Sequence, residues 1–222
     1  GSEMCIRDSN ETASVLAGVL GYGGTAQNAI NAGSYVLTAG GLTSSNYTIQ
    51  YVPDALTVDP AALTITANAA NKTYDGLAYV GGNGVTYVGL VNNETESVLG
   101  GALVYGVSPQ PAIDVGTYVL TPGGLSSNNY AIQFVAGALT IDRALLTVTA
   151  NAASKTYDGL VYTGGNGVTY AGLVNNETES VLGGMLTYGG SAQNAINVGT
   201  YALTANGPVS YTHLTLPTNR EV

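Results

Sequence analysis

The chain has 222 residues, of which 45% are hydrophobic and only 9% are charged, and its formal net charge is −9. Its five Lys and Arg residues are too few for the basic stripe that binds nucleic acid, or for a polybasic patch on an anionic bilayer. Because the sequence contains no run of about 18 apolar residues, we expect no membrane-spanning segment.

The sequence repeats itself with a fixed period and without insertions. The pentapeptide Lys-Thr-Tyr-Asp-Gly occurs at 72–76 and again at 155–159, and 155 − 72 = 83. Such a period indicates an array of like units, which suits a stalk or a multivalent surface better than an enzyme. Other segments keep the same spacing: Asn-Glu-Thr at 10–12, 93–95 and 176–178, and Gly-Ser/Thr-Tyr at 33–35, 116–118 and 199–201.

The period divides the chain into copies of one unit. Residues 10–59 are the back part of a first copy, 60–142 form a complete second copy, and 143–207 are the front of a third. The register breaks in mid-copy at 1–9 and at 208–222. We expect both ends to be non-native, translated adapter or vector sequence, with native capping segments as the alternative.

The two ends also hold the only Cys and the only His of the chain, Cys5 and His213. Within the repeats we therefore expect no disulfide, thiolate chemistry, imidazole base or Cys/His metal site.

The elements predicted for the copies are short strands separated by turns, because apolar residues alternate with Thr or other polar residues. Residues 68–76 carry turn-forming residues, and 81–84 form a glycine-rich loop. Residues 92–101 favour a short helix with Asn as its N-cap and with Glu94 and Glu96 in its first turn. The predicted strands are 47–51 in the first copy and 62–67, 85–88, 102–105, 116–121, 130–135 and 138–142 in the second.

These elements predict a mainly β fold. We expect tandem small β-domains, β-grasp-like or arranged as an Ig-like sandwich, with at most one short helix in each 83-residue copy. The junctions between copies, near Asp59 and Asp142, are too short to act as flexible tethers. An elongated rod of head-to-tail copies is therefore expected.

An ordered set of segments gives the chain a resemblance to a known family. Over residues 10–207 the chain resembles the MBG/YDG repeats found in large filamentous-haemagglutinin-like adhesins and other bacterial surface proteins. The resemblance implies an extracellular, β-dominated repeat of a secreted or surface-anchored adhesin, and it implies no particular ligand. The segments that carry it are Leu63-Thr64-Ile65-Thr66-Ala67, Lys72-Thr73-Tyr74-Asp75-Gly76, Gly89-Leu90-Val91-Asn92-Asn93-Glu94-Thr95, Gly116-Thr117-Tyr118 and Asn129-Tyr130.

The Tyr-Asp-Gly motifs are the candidate ligand sites. Tyr74 with Asp75, and Tyr157 with Asp158, have the side chains to grip a glycan or a cation. The structural interpretation is favoured: Asp bonds nearby backbone, Gly adopts a positive φ, and Tyr packs with its hydroxyl satisfied.

Other polar residues give weaker candidates. The pairs Glu94 with Glu96 and Glu177 with Glu179 could bind Ca²⁺ or act as paired carboxylates, but Ca²⁺ needs six to eight converging oxygens. Each junction has one carboxylate, Asp59 or Asp142, which makes a Ca²⁺ site there a weak candidate. Loop 81–84 lacks the Lys and Ser/Thr of a phosphate-binding loop. We expect no catalytic residue, no metal and no cofactor.

Two functions remain open. Either the copies are stalk repeats that project an adhesive domain from a bacterial surface, or each copy binds host or environmental glycans or surface proteins weakly and multivalently. Both imply an extracellular, cell-surface location without membrane insertion. Because the third copy lacks counterparts of 130–135 and 138–141, we also expect it to expose an unpaired strand edge and an apolar face.

Overall fold

The computed structural model describes residues 12–207 and the backbone of a two-residue strand at 209–210. The expectations for 1–9 and for the rest of 208–222 lie outside these residues. The fold is mainly β, as predicted, and no helix among the described residues exceeds three residues. Two compact units are present. Of the described residues, the first unit contains those up to Ile65 with 87–102 and 124–133, and the second contains 66–86, 103–123 and those from Phe134 onward.

The first copy forms one antiparallel sheet in the order β1-β2-β3. A 3-10 helix at Ala13–Val15 precedes it. The approach of β1 to β2 requires glycine, since a Cβ at Gly18 (φ +86°) would lie 2.2 Å from the carbonyl oxygen of Gly41. The strands are β1 (Ala17–Gly23), β2 (Gly33–Thr43) and β3 (Asp54–Val58).

The complete second copy contains seven strands in two sheets, one ordered β6-β4-β9 and the other β5-β10-β8-β7. All six strands predicted for this copy are confirmed. The strands are β4 (Ala61–Ala67), β5 (Ala70–Thr73), β6 (Val85–Val88), β7 (Gly100–Ser108), β8 (Gly116–Ser126), β9 (Tyr130–Val135) and β10 (Gly137–Asp142).

Strand β10 occupies a central position in the second unit. It pairs in parallel with β5, Leu139 opposite Ala70, and antiparallel with β8, Leu139 opposite Tyr118. Its burial alternates as the pleat requires, so that Leu139 and Ile141 are inaccessible to solvent. These two side chains pack with residues of the neighbouring strands and loops in one core cluster: Ala67, Ala70, Ala112, Tyr118 and Leu120.

Two predictions of local secondary structure were wrong. Residues 68–76 were interpreted as turn-forming, which is wrong for Ala70–Thr73: these residues form β5, because β10 offers them a parallel partner that is distant in sequence. Residues 47–51 were predicted to form a strand, but no strand forms there. Their counterpart β9 pairs with β4, and among the described residues of the first copy no strand takes the place of β4.

The predicted helix at 92–101 is shorter and begins later than expected. It is a 3-10 helix at Glu96–Val98 with Thr95 in the cap position, and the third copy repeats it at Glu179–Val181. Asn92 and Asn93 do not cap it; both adopt left-handed backbone angles, φ 51° and 57°. Asn tolerates this conformation better than most residues, so the pair forms a turn.

Among the described residues, the third copy forms two-stranded sheets: β11 with β12, β13 with β16, and β14 with β15. Residues 153–156 and 199–203, the counterparts of β5 and of the first part of β8, form no strand. The expectation of an unpaired edge in this copy is confirmed for the described residues. The strands are β11 (Thr147–Ala150), β12 (Val168–Ala171), β13 (Leu182–Gly183), β14 (Thr187–Gly189), β15 (Thr204–Asn206) and β16 (Val209–Ser210).

Candidate functional site

The Tyr-Asp-Gly motif of the second copy ends a compact turn directly after β5. Gly76 adopts φ 72°, which favours glycine. The backbone N–H of Leu77 donates to Asp75 Oδ1 at 2.9 Å. Lys72 Nζ lies 2.6 Å from the same oxygen and donates to the carbonyl of Leu77 at 2.6 Å. The predicted turn is confirmed, and one carboxylate oxygen of Asp75 is engaged inside it.

The third copy reproduces this turn. Leu160 N–H donates to Asp158 Oδ1 at 2.9 Å, and Lys155 Nζ lies 2.7 Å from that oxygen. Hydrogen bonding from the lysine holds the pKa of Asp158 below its usual value, as Lys72 does for Asp75. The pattern Lys-x-x-Asp-Gly therefore forms a local turn that the lysine closes, through a salt bridge to the aspartate and a hydrogen bond to a backbone carbonyl. Ligand binding by Asp75 and Asp158 stays a prediction.

The tyrosines of the two motifs differ in their surroundings. The Tyr74 hydroxyl donates to the carboxylate of Glu177 within the second unit, and the amide of Asn175 donates to the carbonyl of Gly76 at 3.1 Å. Tyr157, its counterpart, is 63% exposed. The loop of the third copy therefore rests on the Tyr-Asp-Gly turn of the second, whereas the turn of the third copy faces solvent.

A second tyrosine–glutamate contact joins residues of the first unit. Tyr130 donates to the carboxylate of Glu94 and accepts a hydrogen bond from the N–H of Val91 at 3.0 Å. Glu94 and Glu177 occupy equivalent positions in the second and third copies, and each accepts a hydrogen bond from a phenol. This role of the glutamates was not predicted from the sequence. Among the described residues no group of three His, Cys, Asp or Glu side chains lies close enough to hold a metal ion.

The hydrogen bond to Glu177 raises the pH at which the Tyr74 hydroxyl ionises. Hydrogen bonding to the carboxylate, together with burial, raises the pKa of Tyr74 to about 12. Since the folded-state pKa is raised, the stabilisation is complete below the ordinary tyrosine pKa and is lost as pH rises from there through about 12. In an ultraviolet phenolate titration we expect the Tyr74→Phe variant to lose one late-titrating tyrosine.

Two variants control this titration. Glu177→Gln should lower the pKa of Tyr74, because it removes the negative acceptor. Tyr157→Phe, at the equivalent and exposed position, should leave the late phase unchanged. An unchanged late phase in both Tyr74→Phe and Glu177→Gln would contradict the contact.

A groove of about 560 Å³ crosses the third copy, entirely within the second unit. One wall is the segment from Ala150 to Asp158, and the other runs from Ala195 to Tyr201 and Leu203. The groove thus includes Tyr157 and Asp158, two of the ligand candidates predicted from the sequence.

Several groove residues have counterparts in the second copy that pair or pack with β10. Ala153 corresponds to Ala70 of β5, and Tyr201 to Tyr118 of β8. Burial differs accordingly: Tyr118 is 9% exposed and Tyr201 is 39% exposed. The groove is therefore the position that β10 fills in the preceding copy.

The fold and the site define a tandem-repeat β protein whose conspicuous motif forms a hydrogen-bonded turn. Three regions match the model of the MBG domain (YGX type), residues 8–57, 63–140 and 146–213, and the last two begin 83 residues apart (146 − 63 = 83). The chain therefore belongs to the MBG domain (YGX type) family. Neither the curated proteins nor the solved structures contain a match.

Proposed function

We propose that this chain is part of the extracellular stalk of a large bacterial surface adhesin, in which the copies act as spacers. The supporting observation is that the most distinctive side chains of the repeat are used inside the fold. The salt bridges Lys72–Asp75 and Lys155–Asp158 close the same turn in two copies. Tyr74 and Tyr130 each donate a hydrogen bond to a glutamate. A spacer needs copies whose polar side chains bond within the fold, and it needs no ligand-binding residues.

The composition supports a spacer as well. With 9% charged residues and 31 glycines, the copies rely on strand pairing and tight turns rather than on charged surface networks. Among the described residues, no helix has the length and apolar character needed to cross a membrane. Secretion and surface attachment are part of the proposal.

Small-angle X-ray scattering tests the spacer proposal through the shape of the molecule. A compact chain of 222 residues has a radius of gyration of about 17 Å. We expect a clearly larger value, and a maximum dimension that grows by a constant step when one 83-residue copy is added. A compact value that grows only as the cube root of mass would contradict an elongated stalk.

The alternative function is weak, multivalent binding of glycans or surface proteins. One observation favours it: Tyr157 and Tyr201 are exposed along the groove of the third copy, and aromatic faces suit carbohydrate binding. A glycan array probed with the intact chain separates the two functions. Hits that disappear in Tyr157→Ala would replace the spacer proposal with the binding one, and an array without hits would support the spacer.

A further inference from the structure

The Tyr-Asp-Gly turn of the second copy meets a loop of the third copy within the second unit. The Tyr74 hydroxyl donates to the carboxylate of Glu177. In the opposite direction, the side-chain amide of Asn175 donates to the carbonyl oxygen of Gly76 at 3.1 Å. Each copy thus supplies one donor and one acceptor, and the carboxylate acceptor makes the first hydrogen bond stronger than a neutral one.

The approach of the loop leaves no room for a side chain at Gly76. A Cβ there would lie 2.7 Å from the Cβ of Asn175 and 3.0 Å from its amide nitrogen. Gly159, the counterpart of Gly76, has nearly the same backbone angle, φ 75° against 72°. A Cβ at Gly159 would meet no described atom within 4 Å. Glycine at position 76 therefore permits both the turn conformation and the close approach of Asn175.

The loop has the same internal geometry in two copies. Its two asparagines adopt left-handed backbone angles, φ 51° and 57° in loop 91–94 and φ 51° and 59° in loop 174–177. In both loops the N–H of the glutamate donates to the carbonyl of the valine three residues earlier, at 2.9 Å. The turns at 72–77 and 155–160 also share their internal hydrogen bonds. Local bonds thus set the shapes of the loop and the turn, which lowers the entropic cost of bringing them together.

The first unit contains another contact between successive copies. The Asn129 side chain of the second copy accepts a hydrogen bond from the N–H of Ala32 and donates one to Asn31 Oδ1, both at 2.9 Å. Asn129 precedes Tyr130, whose hydroxyl donates to Glu94 in the Asn-Asn-Glu loop of the same copy. The contacts in the two units therefore use neighbouring parts of the following copy.

The preceding copies also contribute neighbouring parts to the two contacts. Asn31 corresponds to Asp114 in the 83-residue register. In the second copy, the segment that leads to Asp114 lies beside the residues that follow the Tyr-Asp-Gly turn, since the N–H of Tyr79 donates to the carbonyl of Ala112 at 2.9 Å. The same pair of surfaces therefore accounts for the contacts seen in both units.

We infer that the Tyr-Asp-Gly turn is a docking surface whose partner is the Asn-Asn-Glu loop of the following copy. In this joint the tyrosine donates to the glutamate, and the glycine offers its carbonyl and the space that the asparagine needs. The Lys–Asp salt bridge keeps the turn in shape. The joint is a property of the repeat itself, so it does not rest on the stalk proposal and applies equally to copies that bind a ligand.

The competing interpretation is that the short junction between copies brings the turn and the loop together without any attraction between them. Docking is favoured because two hydrogen bonds run in opposite directions across the contact and because the glycine admits Asn175 so closely. The two interpretations differ in whether changes at Gly76 and Asn175 depend on each other.

Two matched glycine variants of the intact chain test the joint. Gly76→Ala and Gly159→Ala impose the same left-handed strain on their turns, but only the first drives a Cβ into Asn175. Amide hydrogen exchange at 174–177 should be at least about tenfold faster in Gly76→Ala than in Gly159→Ala. Equal exchange at 174–177 in the two variants would overturn the joint.

A second variant shows whether the two sides of the joint act together. Asn175→Gly suits the left-handed backbone at this position and removes both the amide donor and the atoms that a Cβ at Gly76 would meet. Adding Gly76→Ala to Asn175→Gly should then accelerate exchange at 174–177 by less than about threefold. Independent, multiplicative effects of the two substitutions would overturn the joint.

Nuclear magnetic resonance of the unaltered chain keeps the test independent of these variants. We expect Overhauser contacts between the side-chain amide protons of Asn175 and the α-protons of Gly76, because the amide nitrogen lies 3.1 Å from the Gly76 carbonyl oxygen. Absence of these contacts would overturn the joint, and it would leave the stalk proposal to its own scattering test.

Discussion

Replacing Leu139 by Ala should destabilise the second unit by about 2–5 kcal/mol, because the leucine is completely buried and its removal leaves a cavity. The side chain lies at the middle of β10 and packs in the core cluster with three alanines and Leu120. The free energy of unfolding, obtained from urea denaturation followed by circular dichroism, measures the loss.

The repeat itself provides the matched control. Leu56 occupies the equivalent position in the first copy, 83 residues earlier, but is 38% exposed in β3. Leu56→Ala should cost at most about 1 kcal/mol. Equal losses at both positions would contradict the central placement of β10, because the same residue would then be equally important at an edge and in a core.

Local alternation of apolar and polar residues predicted most strands of the complete copy. It succeeded for β4, where Leu63 and Ile65 alternate with threonines and are fully buried. It failed for β5 and for residues 47–51, and both failures have one cause. A strand persists only where a partner strand is present, and the partner is set by contacts distant in sequence.

The candidate sites show the same division between local and distant contacts. The Tyr-Asp-Gly turn could be predicted, because its hydrogen bonds link Lys72, Asp75 and Leu77, which are close in sequence. The Tyr74–Glu177 contact joins residues 103 positions apart, and no local pattern indicates it. The unpaired edge of the third copy could be predicted from the repeat, whereas the two walls of the groove required coordinates.

The second large predicted effect is a difference in backbone amide hydrogen exchange between the second and third copies. Strand β5 is hydrogen-bonded to β10, while the identically spaced segment 153–156 has no strand beside it among the described residues. Amides in paired core strands exchange only through larger unfolding events, whereas those in unpaired segments exchange through local opening. We expect exchange at 153–156 to be at least about 100-fold faster than at Ala70–Thr73.

An internal control accompanies this comparison. Strands β6 and β12 are equivalent, and each is paired with a neighbour, β4 and β11 respectively. Their protection should be similar, so a general loosening of the third copy can be separated from the specific absence of a β10 counterpart.

Residue-resolved hydrogen exchange of the unaltered chain therefore tests the central claim most directly, namely that one repeat sequence forms a filled strand position in the second copy and an open one in the third. The predicted result is slow exchange at Ala70–Thr73, fast exchange at 153–156, and similar protection of β6 and β12. Equal, slow exchange at 70–73 and 153–156 would contradict the claim, because it would require a strand in the groove of the third copy.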